Sequence, residues 1–433
     1  MTNRLTIGAG ALVALLCAHS AGAAGGQVAF DQAVKDLASP DANTRLKTVH
    51  MLGEARYPEA AVPLAALIID AQDAVQFAAI AAELNLFLAD KVTTQRHVAL
   101  IVETRHPLSA EEVFSSGPQA IASRPVPREV LSALETAIND NNPRVGLEAL
   151  YAYGTLASVP TGAVRRDVLS RSAPALAALL GAHAPAERHA AARVIGRVFE
   201  RRATDGPIDV SLGEAVVAAL NDRDRAARIA AIRALGAMRY DHGVQPLTDV
   251  FTLQNKGETA EAALDALAHI ANPVSAPLFT AQLSSPDPVC REFAVEGLAR
   301  LTGTAKYSDI EVAMLHERSE SVLLAVSFAA TMLSNKPIDE MSEALVRVRL
   351  RDQARHYLIE IAASRPALFA RQVQDPDSRL RLEIAEILAL GGGPAALPLV
   401  EPLAKDKDPA VARAAERAIA RLRATAESSM SAR

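Results

Sequence analysis

Tryptophan is absent from the 433 residues, aromatic side chains make up only 4%, and there are two cysteines. The scarcity of aromatics disfavours aromatic-rich β-sandwiches and sugar-binding barrels. Two cysteines cannot build a disulfide scaffold. Charge of one sign is also missing. Lys and Arg number 45 against 50 Asp and Glu, a well-mixed net of −5. Nucleic-acid binding wants a basic face, so no nucleic-acid partner is expected. What is abundant is apolar, at 50%, mostly Ala, Leu, Val and Ile. That fraction is too high for disorder. Ala and Leu are also the best helix formers and suit helices packed close together.

The first residues read as a secretory signal peptide over 1–23. Arg4 supplies the positive start, and Leu5 to Leu16 is an apolar run of about 12 residues, too short to span a bilayer comfortably. Ala21-Gly22-Ala23 is a small-residue cleavage site, followed by Gly25-Gly26. The protein is therefore expected in the periplasm or outside the cell. Leu16 precedes Cys17 where a lipobox wants a small residue, so lipidation is not expected. Cleavage leaves Cys290 alone, in a helix-like run where a buried small hydrophobe is expected. No later stretch reaches transmembrane length, so the mature chain should carry no integral membrane segment.

One unit recurs along the chain. Asp375-Pro376-Asp377-Ser378-Arg379-Leu380-Arg381 opens a helix ending at Leu390-Gly391, and Pro398-Leu399 starts a second. The same order runs through Asp222-Arg223-Asp224, Arg228, Leu235-Gly236 and Pro246-Leu247, and through Pro40-Asp41, Arg45, Leu52-Gly53 and Pro63-Leu64. Ser285-Pro286-Asp287-Pro288 with Arg291 repeats the opening. First helices are expected to begin near residues 41, 72, 142, 186, 222, 257, 286, 318, 351, 376 and 407, most of them roughly 33 residues apart.

Each mark has a physical task. Asp or Pro at the opening caps the helix and sets its first turn. The Gly after the last apolar Leu should let the chain leave the helix in a left-handed conformation. Pro in the first turn of the second helix costs nothing, because its missing N–H would have no partner there. Ile229, Ile232 and Leu235 share one helical face, and no segment shows sustained period-two alternation, so no sheet is expected.

These residues and this spacing resemble the HEAT repeat, and within it the short bacterial variety first named from phycobilin lyases. The resemblance covers nearly all of the chain after the leader and is weakest between about 92 and 141. It implies an all-α fold, an α-solenoid or superhelical array of about eleven HEAT-like helical hairpins over 24–424. An inserted loop near 106–127 and a disordered tail at 425–433 complete the expected organisation. The resemblance also implies an Asp–Arg ladder between repeats, formed by Asp41, Arg45, Asp224, Arg228, Asp287, Arg291, Asp377 and Arg381. Arg413 lies five residues after Asp408 and falls out of that register. Lyase activity is not expected, because the repeat occurs widely without it.

No catalytic, cofactor-binding or metal-binding residues are expected, and no cofactor. His183 and His189 lack a Cys or a second acidic ligand. His316-Glu317 lacks the second His of a zinc-protease helix, and one His-Glu pair cannot make a di-iron site. Gly391-Gly392-Gly393 has no following Lys and reads as an interhelical turn. The arginines at 165–166, 201–202, 223, 225 and 228 are balanced by nearby acids and read as a solvated, salt-bridged face. Arg413, Arg417 and Arg421, four apart on the last helix, should also be solvated. The six tyrosines, at 57, 151, 153, 240, 307 and 357, mostly fall where core packing or capping is expected.

The leading expectation is a non-catalytic scaffold that binds a protein or peptide on the concave face. The alternatives are an accessory or weakly catalytic component with a site on the 106–127 loop, using His97 or His106, and a structural spacer.

Overall fold

A computed structural model describes residues 30–88, 109–117, 121–122, 124–202 and 205–430. The expected leader, Cys17, His97, His106 and parts of the 106–127 segment lie outside the described residues. Among those described the fold is all-α, an α-solenoid of helical hairpins with no β-strand.

The α-helices are numbered in chain order. α1 occupies 30–37, and α5 (Ala110–Ser115) is a single short helix. The first helices of the hairpins are α2 (Ala42–Ala55), α4 (Asp73–Phe87), α7 (Pro143–Leu156), α9 (Pro185–Val198), α11 (Arg225–Met238) and α13 (Glu258–Ile270). They continue with α15 (Pro288–Arg300), α17 (Glu320–Ser334), α19 (Arg351–Ser364), α20 (Ser378–Gly391) and α22 (Pro409–Met430). Every one starts within about three residues of its expected position. The returning helices are α3 (Ala61–Ala65), α6 (Arg128–Ala137), α8 (Gly162–Leu179), α10 (Val210–Ala218), α12 (Val244–Gln254), α14 (Ala276–Gln282), α16 (Tyr307–Ala313), α18 (Asp339–Ala344) and α21 (Leu397–Val400). After α19 the return consists of two 3₁₀ turns, Pro366–Phe369 and Gln372–Gln374.

The chain divides into two compact units, residues 1–116 with 126–152, and residues 117–125 with 153–433. In the first, Glu148 on α7 accepts a hydrogen bond from the Ala110 N–H at 2.7 Å and so caps α5 from outside it. Phe114 packs against Tyr151, ring centroids 5.4 Å apart. Part of the expected loop is therefore a helix docked on α7. In the second unit, successive first helices pack side by side from α9 to α22.

The caps form as expected. The carboxylates of Asp41, Asp224, Asp287 and Asp377 accept backbone N–H bonds in the first turns of α2, α11, α15 and α20. The glycines act differently from the expectation. Gly53 and Gly236 lie inside their helices, and the left-handed residues that follow are Arg56 (φ 54°) and Arg239 (φ 49°). A Cβ on Gly236 would sit 2.8 Å from the Ala266 Cα, and one on Gly53 would sit 2.7 Å from the Ala82 Cβ. These glycines let neighbouring first helices touch backbone to backbone.

The ladder also pairs differently. The capping Asp is not its acid. Arg45 binds Asp70 through Nε (2.7 Å) and Nη2 (2.8 Å). Arg188 binds Asp222, Arg291 binds Glu317 and Arg381 binds Asp406 in the same two-pronged way. In each rung the acid stands two residues before the N-cap of the next first helix and also accepts that cap residue's N–H. Nη1 of each Arg reaches back to carbonyls in its own turn. Gln76 replaces Arg in one rung and donates to Asp140 at 2.8 Å. Arg228 has no acid partner ahead of it. Asn255 stands at that position with φ 59°, and the buried Arg228 Nε is left without a partner.

Candidate functional site

In a solenoid each repeat touches only its neighbours. Side chains that meet across a skipped repeat therefore mark the inside of the curve. In the second unit such contacts run from α15 over α17 to α19. Arg300 on α15 donates through Nε to Glu360 on α19, sixty residues away, at 3.0 Å. Tyr357 donates its hydroxyl hydrogen to Glu296. Gln353 bonds Glu292 (2.9 Å), the Ser321 carbonyl (3.0 Å) and the Tyr357 hydroxyl (2.8 Å). On α17 between them, Phe328 stacks on Tyr357 with centroids 4.5 Å apart, and the Arg300 guanidinium lies 5.4 Å from the Phe328 ring.

The network has a wet margin. Arg239, at the end of α11, approaches Glu360 at 4.0 Å. On α13, Asp265 and His269 are one helical turn apart and pair at 3.0 Å, with 29% and 42% of their side chains exposed. Regular four-residue spacing puts Glu292, Glu296 and Arg300 in one row. The result is a mixed-charge surface, closed around Tyr357 and Glu296 and open to solvent at Asp265, His269 and Arg239.

Its electrostatics follow from burial and pairing. Burial pushes the Glu292 carboxyl up to about 7, with Glu296 and Asp265 adding repulsion. Burial works against ionising Asp265, but His269, Arg300 and Arg233 outweigh it and leave the carboxyl below its usual value. Burial and Arg300 oppose the charge on His269, and the carboxylates of Asp265 and Glu296 overcome them, so its imidazole is raised. The Arg300 guanidinium is held charged against its burial by Glu360 and Glu296.

The sequence candidates fall elsewhere. Glu317 is a ladder acid, pulled down to about 2 by Arg291. His183 is an exposed turn residue whose carbonyl accepts from Arg188. Gly391 ends α20, and Gly392 and Gly393 form the expected turn after it. Cys290 is buried. Tyr151, Tyr153, Tyr240 and Tyr357 are buried, whereas Tyr57 is half exposed.

Two arginine groups depart from expectation. Arg165 is buried rather than solvated and pairs with Asp205 at 2.8 Å, because α8 turns it inward against the stretch after α9. Arg413 and Arg417 are exposed, but Arg421 is partly covered and desolvated. α22 continues to Met430 through the Ser-rich stretch. The inner cluster was missed because its partners lie some sixty residues apart. The only signals were the Asp265/His269 and Glu292/Glu296/Arg300 spacings.

No curated protein matches the chain. An engineered protein of known structure is similar at 18% identity with a TM-score of 0.43, covering 90% of this chain and 98% of its own. Yeast importin-β, Kap95p, is similar at 17% identity and a TM-score of 0.37 over 93% of this chain, which spans about half (51%) of the importin's length. Kap121p is similar at 14% identity and the same TM-score, with 45% of its length covered. The family profile described as HEAT repeats matches residues 172–268, and the same capped hairpin recurs on both sides of that segment, which together support a HEAT-repeat protein.

Proposed function

We propose that the protein is a non-catalytic scaffold that binds a protein or peptide partner along the inner face of its second unit. The observation that carries this reading is the half-open charged row of Asp265, His269, Arg239 and Glu360 on first helices facing one another across the curve. Fixed charges on a rigid surface give orientation and partner choice more than raw affinity. The scarcity of aromatic anchors favours transient binding over an obligate complex.

We further propose that it acts outside the cytoplasm, on the basis of the Arg4, Leu5–Leu16 and Ala21-Gly22-Ala23 pattern. Cell fractionation and N-terminal sequencing test this. A mature chain beginning at Ala24 supports export, and an intact Met1 in the cytoplasmic fraction refutes it.

Pull-down from the cell envelope tests the scaffold. The partner recovered by the wild type should be lost from Arg233→Glu with Arg239→Gln. Equal recovery by both proteins, or no partner at any salt, contradicts the proposal. A second reading, docking on the outer edge, is favoured by Leu253 (82% exposed) at the end of α12 and by Leu315 (73%) and Val348 (84%) in the turns after α16 and α18.

A further inference from the structure

Among the described residues of the second unit, cations outnumber the acids beside them at one place. α22 packs against α8, which brings the last helix of the unit to the first returning helix. Three guanidinium groups gather there. Arg165, in the first turns of α8, gives Nε and Nη2 to Asp205, while its buried Nη1 has no partner. Arg202 is fixed by backbone alone, with Nη1 on the Pro160 carbonyl at 3.1 Å and Nη2 on the Ser158 carbonyl. Arg421, from α22, has no acid paired with it among the described side chains, and burial draws it down. Burial, with repulsion from Arg165 and Arg421, lowers Arg202 to about 10 against Asp205 and Glu200. Asp205 is engaged with Arg165 and Glu200 also acts on Arg202, so three guanidinium groups face two carboxylates and positive charge is left over. Arg202 and Arg421 are partly exposed and reachable from solvent. The positive end of the α8 dipole begins at Gly162 beside them.

Desolvated like charges do not gather without cost. A counter-charge supplied from outside relieves the repulsion, and two planar forks suit an ion with several acceptor oxygens and more than one charge. We propose that Arg202 and Arg421, where α22 meets α8, bind a phosphate-class oxyanion that joins the two ends of the second unit. The carbonyls of Ser158 and Pro160 position Arg202, and Arg165 supplies a further positive charge behind it. This site is separate from the inner row of Asp265 and His269, and its test does not depend on the scaffold reading.

The test is thermal unfolding in millimolar phosphate against chloride at matched ionic strength and pH. The wild type should gain several degrees in phosphate. Arg421→Met should lose that gain and, in chloride, melt at or above the wild-type temperature, because it removes a repelling charge. A purely structural Arg421 would melt lower when replaced. An equal phosphate gain in both proteins is a general salt effect and overturns the proposal, as does a wild type that does not respond. Arg421→Lys, which keeps the charge and loses the fork, should bind phosphate at least tenfold more weakly by calorimetry; unchanged affinity also overturns it. Running O-phosphoserine beside inorganic phosphate separates an ester from the free ion as the source, and binding by either supports the site.

Discussion

Arg381 grips Asp406 across twenty-five residues with both prongs of its guanidinium, at 2.7 and 2.8 Å, and turns its third nitrogen back to the carbonyls of Asp375 and Pro376. One side chain thus closes its own turn and fixes the next hairpin. Both partners are almost fully buried, at 6% and 8% side-chain exposure. Arg381→Met should cost about 3–5 kcal/mol, because it strands a buried carboxylate. Arg228→Met, at the one ladder Arg with an unpartnered buried Nε, should cost less than about 1 kcal/mol. Denaturant midpoints for the two variants check this contrast, and equal losses would deny the ladder its role.

Buried carboxyls give a pH signature. Glu83 is fully buried, neither carboxylate oxygen has a partner, and burial raises it well above 4.5. Above 4.5 the unfolded chain releases this proton while the folded chain keeps it. The folded state then binds more protons, and stability falls as pH rises from 4.5. Glu292 adds to the fall between 4.5 and about 7. Melting temperature should therefore drop across that range, and Glu83→Gln with Glu292→Gln should flatten the drop. Glu83→Met should stabilise at neutral pH by roughly 1–3 kcal/mol. An unaltered pH slope in the double variant contradicts this reading.

The ladder acids work in the opposite direction. Arg291 lowers Glu317 to about 2, so its contribution is full above 4.5 and is lost as pH falls towards 2. Glu317→Gln should melt lower than wild type at pH 7 and approach it below pH 3. A constant gap between the two curves contradicts the pairing.

Close helix contact can be tested at glycine. Gly236→Ala places a methyl 2.8 Å from the Ala266 backbone and should cost about 1–3 kcal/mol. Gly206→Ala, with open space around it, should stay within about 0.5 kcal/mol of wild type.

The helix starts were legible because the signals are local. An Asp cap, a Pro in the first turn and a 3.6-residue apolar face all lie within one hairpin. The glycine role was not, because Gly236 is read by Ala266 on the next first helix. The ladder acids were visible as the first Asp in Asp222-Arg223-Asp224 and Asp406-Lys407-Asp408. Which Asp caps and which pairs is decided by the turn that carries them. The inner row was least legible, since the curvature that brings Glu296 to Tyr357 and Arg300 to Glu360 is the sum of several hairpin packings.

Site-specific photocross-linking tests the central claim most directly. A photoreactive residue at Arg233, beside Asp265, is compared with one at the exposed Leu315 in the turn after α16, in otherwise wild-type protein in its native cells. The account expects one discrete cross-linked partner from position 233 and none from 315. Cross-links from 315 alone, or from neither position, would contradict an inner binding face.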